Sequence, residues 1–270
     1  KRGLLATSVA VGALLSMAPA VFAQEAVFVL PLSEVGVPSY DVIRQGNTNL
    51  GAYLIYDTLV VQDADQSFHP SLAASWVEAP DGMAWTFQIR PGVTFHNGEP
   101  LTAAAVVAWL GFFADSDNSF TTQSIAKAEA TGDLTVQLTM KNPDPNLLFN
   151  MASSTMGVIE PKAYVADGEN YGVTEAVGTG PYKMESFAIG SETVLVRNDD
   201  YTWGSELAEN KGPAKIAKIT LREIAEDSTA FLELKTGGVD MLLSVPTDFL
   251  GELAKEPTIT TLTLPGLEVV

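Results

Sequence analysis

Apolar and polar residues alternate along several short segments of the chain, which is the pattern of β-strands with one buried face. Residues 84–90 (AWTFQIR) and 134–140 (LTVQLTM) show it most clearly. The turn sequence at 80–82 (PDG) separates the first of these segments from residues 75–78, so we expect a β-hairpin there. Further strands are predicted for four apolar segments, residues 26–30, 193–197, 218–222 and 239–243.

A helical repeat replaces this alternation after Thr102. Four large apolar residues share one helix face: Val106, Trp109, Leu110 and Phe113. This spacing predicts a helix over residues 103–113 with Thr102 as its N-cap. Other helices are expected at 146–152, from Pro161, and at 227–235, the last capped near Asp227 and ended by Gly237 and Gly238. The result is a mixed α/β pattern without strict β-α-β alternation.

The first residues have the organisation of a secretory signal peptide. Lys1 and Arg2 precede an apolar run at 3–17, and small residues lead up to Ala23. The run is shorter than the roughly 20 residues of a membrane-spanning helix, and Pro19 interrupts it. We therefore predict cleavage after Ala23 and export to the periplasm. Because the chain has no cysteine to carry lipid, we expect neither a lipoprotein nor another membrane anchor.

Composition excludes several classes of function. The chain has 15 basic and 33 acidic residues, a net charge of −18, which repels phosphate backbones and makes nucleic-acid binding implausible. Without cysteine, disulfides, thiolate nucleophiles and cysteine-based metal sites are all absent. At 46% hydrophobic residues, the chain has enough apolar side chains for a packed core.

Motifs of catalysis are missing from the sequence. The two histidines, His69 and His96, both lie in turn sequences, and neither belongs to a metal-binding motif. The segment 178–180 (GTG) lacks the Lys-Ser/Thr of a phosphate loop, and no Gly-x-Ser-x-Gly elbow occurs. Asp115 and Asp117 lack the glycine and glutamate of a calcium loop. We predict a protein that is not an enzyme, with no catalytic residue, metal or cofactor.

Several sequence strings, taken together and in order, resemble one family. They are residues 70–76 (PSLAASW), 81–82 (DG), 85–98 (WTFQIRPGVTFHNG), 102–107 (TAAAVV), 178–182 (GTGPY), 196–198 (VRN) with Tyr201 and 203–204 (WG), and 238–241 (GVDM). The chain is similar, from about residue 26 onward, to the peptide/nickel/opine type of extracellular solute-binding protein of ABC importers, bacterial family 5. It departs from the family pattern at Ala105, Asp199 and Thr202, which affects local turns and helix starts.

The resemblance implies a periplasmic-binding-protein fold of type II, α/β with two lobes that close on a ligand. We expect the chain to be an N-terminal fragment, comprising mostly lobe one with its extra subdomain. The expected division is a signal peptide at 1–23, lobe one at 24–55 and 175–245, the extra subdomain at 56–174, and the start of an otherwise missing lobe two at 246–270.

By the same resemblance, ligand contacts of lobe one come from three segments. They are the loop with Tyr40, Arg44, Asn47 and Asn49, the polar stretch with Phe120, and the segment with Ser153, Ser154, Thr155 and Met156. Their hydroxyls, amides and apolar surface suit a small-molecule cleft. Arg44 has two open interpretations, a clamp for a ligand carboxylate or a surface ion pair.

The resemblance also implies partners. We expect a monomer that captures a small solute, with a short peptide as the leading ligand, and delivers it to an ABC permease and its ATPase in the inner membrane. The alternatives are a binder of a metal complex, opine or sugar with the same fold, and a sensor or chaperone that uses the fold. From another class, a periplasmic hydrolase would need catalytic residues in the missing half.

Overall fold

The computed structural model describes residues 24–30, 36–45, 50–114, 116–253 and 255–262. The signal-peptide prediction falls on residues outside this description. The strands are β1 (Gln24–Val29), β2 (Val60–Gln62), β3 (Phe68–Pro70), β4 (Ala73–Glu78), β5 (Ala84–Ile89), β6 (Ile125–Gly132), β7 (Thr135–Met140), β8 (Tyr182–Ala188), β9 (Glu192–Arg197), β10 (Ile216–Arg222) and β11 (Met241–Leu242). The α-helices are α1 (Leu50–Ile55), α2 (Ala103–Phe112), α3 (Leu147–Ala152), α4 (Pro161–Asp167), α5 (Asp227–Thr236) and α6 (Leu250–Leu253).

A five-stranded mixed sheet has the strand order β11-β1-β10-β9-β8. β1 is parallel to both β10 and β11, whereas β9 is antiparallel to its two neighbours. The carboxyl ends of β1, β10 and β11 therefore share one edge of the sheet, and the loops that leave these strands start there. In one such contact, the backbone N–H of Gly36, after β1, donates to Glu223 Oε2, after β10, at 2.7 Å.

The predicted buried strand at 239–243 is wrong in length and in burial. β11 spans only two residues, and Met241 and Leu243 are each 37% exposed. Val239 alone in this segment is buried. β11 pairs with β1 on one side only, so its place at the edge leaves apolar side chains uncovered.

A four-stranded antiparallel sheet has the order β4-β5-β7-β6 and contains the predicted hairpin. Trp85, Phe87 and Ile89 of β5 are buried, as their alternation with polar residues predicts. β6 is a strand that the sequence analysis did not predict, because the alanine, lysine and glutamate in its sequence (IAKAEATG) are uncommon in strands. Pairing with β7 holds it in the sheet.

Helix α2 confirms the capping prediction. Thr102 Oγ1 accepts a hydrogen bond from the backbone N–H of Ala105 at 3.2 Å. The predicted apolar face is buried against β6 and β7, and Trp109 Nε1 donates to the carbonyl oxygen of Gly157 at 3.0 Å. This hydrogen bond satisfies the one polar atom of a fully buried indole.

Helix α5 ends as predicted at Gly237, which has φ +77° in the left-handed region that glycine favours. Its N-cap position is Glu226 rather than Asp227, which lies in the first turn. The ring of Phe231 stacks on Phe249 with centroids 4.6 Å apart. The segment after β11 therefore folds back against α5, and the predicted start of lobe two at residue 246 stays a prediction.

One continuous core joins the two sheets. The five-stranded sheet draws its strands from 24–29 and 182–242, and the four-stranded sheet from 73–140. Two backbone hydrogen bonds join chain segments that lie between these parts in the sequence: Gly180 N–H donates to Ile55 O and Val158 N–H donates to Asp57 O, both at 2.9 Å. The proposed limits between lobe one and its subdomain stay predictions. Within the described ranges, no helix is long and apolar enough to cross a membrane.

Candidate functional site

A buried asparagine holds two of the predicted segments together. Asn118 Nδ2 donates to the carbonyl oxygens of Val42, Ile43 and Gln45 at 3.0–3.2 Å. These carbonyls belong to the loop that follows β1, and Asn118 precedes the short 3₁₀ turn that contains Phe120. The loop around Arg44 and the polar stretch around Phe120 are therefore neighbours.

A second asparagine adds the third segment. Asn150 Nδ2, on α3, donates to the carbonyl oxygen of Thr121 at 3.3 Å. Residues 153–156 follow α3 directly and include the 3₁₀ turn Ser154–Met156. The fold thus places all three predicted segments side by side. Asn47 and Asn49 lie outside the described residues.

The first of two cavities beside α3 contains Phe120. It has a volume of about 680 Å³ and is also lined by Phe149 and by side-chain amides, including those of Asn146 and Asn150. Phe120 and Phe149 are 59% and 58% exposed. An aromatic ring in this position either closes onto the core or serves as a ligand platform, and the exposure of Phe120 favours the platform.

The second cavity lies at the C-terminal end of α3 and is lined by Ser154. Its volume is about 410 Å³, and its walls include Tyr53, Tyr56, Asp57 and Ala152. Tyr53 is 60% exposed, an unusual state for so large a side chain on an otherwise apolar helix. Sequence analysis missed both Tyr53 and Asp57. Asp57 had a usable signal, since it is the one charged residue in the apolar run 50–61.

Asp57 is held by three donors from distant parts of the chain. Thr179 Oγ1 and Trp203 Nε1 donate to its Oδ2 at 2.9 and 3.2 Å, and the Tyr201 hydroxyl donates to its Oδ1 at 3.1 Å. Burial raises the pKa of the Asp57 carboxyl, and these hydrogen bonds oppose the rise. Three donors aimed at one carboxylate favour its ionised form.

The glycine turn at residues 178–180, next to Asp57, packs closely against His96 and the end of α1. The backbone N–H of Gly178 donates to His96 Nδ1 at 3.3 Å, and His96 Nε2 lies 3.0 Å from Gly180 O, so the ring is the neutral tautomer with its proton on Nε2. Burial lowers the pKa of His96 to about 4. A Cβ on Gly180 would lie 2.4 Å from Leu54 O, so only glycine fits this close approach.

Two of the predicted contact residues are buried away from both cavities. Tyr40 is 2% exposed, and its hydroxyl is 2.7 Å from Thr193 Oγ1. Met156 is fully buried in the core. Their side chains support the fold, and in this conformation neither can contact a ligand.

Arg44 is used within the chain. Its Nη1 donates to the carbonyl oxygen of Gly168 at 2.9 Å and lies 3.3 Å from Oδ2 of the buried Asp41. The guanidinium also lies over the ring of Tyr164, 5.2 Å from its centroid. These contacts favour the ion-pair interpretation over a carboxylate clamp.

The remaining predicted residues, Ser153 and Thr155, are half-buried. Ser153 Oγ is 2.9 Å from Thr155 Oγ1. Over the part of the chain that the structure describes, no group of three or more His, Cys, Asp or Glu side chains could hold a metal ion. The arrangement offers hydroxyls, amides and aromatic rings for binding.

The fold, a five-stranded mixed sheet and a four-stranded antiparallel sheet on one core, has counterparts among solved structures. The solved structure of the periplasmic binding protein AgaA from A. tumefaciens R10, in complex with agropinic acid, matches with a TM-score of 0.76 and 26% identity. The match covers 87% of this chain and 46% of that one.

The sequence matches the family model described as bacterial extracellular solute-binding proteins, family 5 Middle, over residues 67–270. The chain belongs to this family, as the sequence strings indicated. It is 29% identical over 228 residues to the nickel-binding periplasmic protein of Escherichia coli (strain K12), covering 80% of this chain and 42% of the relative. It is 28% identical over 273 residues to the glutathione-binding protein GsiB of Pectobacterium atrosepticum, covering 99% and 51%. The chain thus spans about half the length of the curated relatives that it matches.

Proposed function

We propose that the protein is the periplasmic solute-capturing component of an ABC importer, that it binds a small organic ligand, and that it catalyses no reaction. The observation that carries this proposal is the chain of hydrogen bonds that places three separate segments next to one another, with two cavities lined in part by α3. Family membership supports the role in transport.

The mechanism that we propose is lobe closure. A ligand that contacts both lobes binds the closed form more tightly than the open form, so it shifts the population toward closure. The permease, with its ATPase, then accepts the closed form and receives the ligand. The surface around Tyr53, Phe120 and Ser154 supplies the contacts of lobe one. In this proposal the mature protein begins after Ala23 and works as a monomer in the periplasm.

A short peptide or peptide-like molecule is our leading ligand. The relatives named above bind nickel or glutathione, and the AgaA structure holds agropinic acid. Exposed aromatic rings beside amides and hydroxyls suit an organic molecule with hydrogen-bonding groups, since such sites combine apolar contact area with a few polar contacts.

The direct test is native mass spectrometry of the complete gene product after export to a periplasm and gentle purification. We expect an added mass that disappears on denaturation and resolves into short peptides or one discrete metabolite. A protein that carries no ligand, binds none from a peptide library and cleaves peptides or glycosides would contradict the proposal.

Variants of the same protein test the surface. Tyr53→Ala and Ser154→Ala should each weaken binding of the identified ligand several-fold, because each removes a side chain that lines the second cavity. Val77→Ala is the matched control, since Val77 is 68% exposed on β4 and lines neither cavity. Equal affinity of all three variants would remove this surface from the ligand site.

A further inference from the structure

The cavity beside Asp57 contains an acceptor position that the protein itself leaves open. A carboxylate offers about four lone-pair sites on its two oxygens. Oδ2 of Asp57 receives two hydrogen bonds, from Thr179 and Trp203, whereas Oδ1 receives one, from Tyr201. Within the described residues, these three bonds leave one lone pair of Oδ1 available, on a side chain that lines the cavity.

The charge of Asp57 is also incompletely balanced. Across the described ranges, no Lys, Arg or His nitrogen forms an ion pair with it within 4.0 Å. Arg90 is near enough to favour the ionised carboxylate, but its Nε donates to the carbonyl oxygen of Ser71 at 2.9 Å. Asp57 is therefore held in place by neutral donors, without an ion-pair partner among the described residues.

The cavity walls suit a small cation. Tyr53 and Tyr56 contribute aromatic rings, and Ser154 and Ser205 contribute hydroxyl groups. Aromatic faces attract ammonium groups, and hydroxyl oxygens accept their hydrogen bonds. At about 410 Å³, the cavity is large enough for an amino group with a short alkyl chain. The net charge of −18 attracts cations to the protein.

We infer that this cavity binds a protonated primary amino group, with one ammonium N–H donating to Oδ1 of Asp57. The inference deepens the proposed function, on which its biological meaning rests: the transported solute carries a free amino group that lobe one recognises. The geometry distinguishes this group from a quaternary ammonium, which has no N–H to donate, and from an alcohol, which has no charge.

The experiment uses the purified chain and three probes of similar size: propylammonium, tetramethylammonium and 1-propanol. Backbone amide shifts are followed by NMR during each titration. We expect saturable shifts around Tyr53 and Ser154 with propylammonium, at least ten-fold weaker binding of tetramethylammonium, and no saturation with propanol. Equal binding of propylammonium and either other probe would overturn the inference.

Variants link this binding to the carboxylate. Asp57→Asn preserves the shape of the side chain and removes the charge, so propylammonium binding should fall at least ten-fold. If this variant does not fold, Tyr53→Ala provides the test, because Tyr53 is exposed and should lose binding several-fold without loss of structure. Val77→Ala is the control. Unchanged affinity in folded Asp57→Asn, or in Tyr53→Ala when Asp57→Asn does not fold, would refute the assignment.

A ligand without an amino group, found on the complete protein, would also refute the assignment of the cavity while leaving the transport proposal intact.

Discussion

The half-buried histidine at the glycine turn, His96, predicts how stability depends on pH. His96 is neutral in the folded protein, with a pKa lowered from 6.5 to about 4 because burial disfavours the charged ring and Lys183 adds repulsion. In the unfolded chain its pKa is the ordinary value, about 6.5. As the pH falls below 6.5, the unfolded state takes up a proton that the folded state does not, so the free energy of unfolding decreases.

The size of this effect follows from the two pKa values. Between pH 6.5 and 4.5, the loss attributable to His96 is about 2 kcal/mol, at about 1.4 kcal/mol per pH unit once the unfolded ring is mostly charged. It levels off below pH 4, where the folded ring is protonated as well. Carboxyl groups with raised pKa, such as Asp41 and Asp57, act in the opposite direction over part of this range.

Comparison with the His96→Gln variant separates the contribution of the histidine to the pH dependence of stability from that of these carboxyl groups. Glutamine does not titrate, and its amide N–H can replace the hydrogen bond from Nε2 to Gly180 O. We would measure urea unfolding of both proteins at half-unit intervals from pH 7.5 to 4.5. Their stability difference should change by about 2 kcal/mol between pH 6.5 and 4.5, with wild type losing more. Parallel curves would show that the folded ring titrates normally and would refute the argument.

Two further predictions concern the helix cap and the glycine turn. Thr102→Ala should lower the free energy of unfolding by about 1 kcal/mol, because it removes the acceptor of the Ala105 N–H, and Thr102→Ser should retain most of the stability, as urea unfolding can show. Gly180→Ala should lower the melting temperature by several degrees, because its Cβ would lie 2.4 Å from Leu54 O. Gly111→Ala is the matched control, since its Cβ would meet nothing within 4 Å and alanine favours a helix by about 1 kcal/mol over glycine. Equal melting temperatures for the two alanine variants would contradict the close-approach argument.

The local pattern of residues was sufficient to predict much of the secondary structure. The alternation around Phe87 identified β5 and its buried face, and Thr102 identified the start of α2. Each of these features depends on residues within a few positions, so a short window of sequence contains the whole signal. The strings that indicated the family are also local, and the family match confirms them.

The sequence alone did not predict which individual side chains are buried. Tyr40 and Met156 have types that serve both in cores and at ligand sites, and the sequence assigned them to the site. The packed structure buries both. Likewise, β11 reads as a buried strand from its apolar residues, yet its place at the sheet edge leaves Met241 exposed. Such outcomes depend on which elements cover a residue.

The sequence by itself determined the family and the α/β class, and it named three segments that lie next to one another in the fold. Only the tertiary structure decided which of their side chains face a cavity, and it added Tyr53 and Asp57 to the candidate site. The three donors that hold Asp57 are 122 to 146 positions away along the chain. Contacts at that separation arise from the packing of both sheets on one core, and no local pattern around Asp57 encodes them.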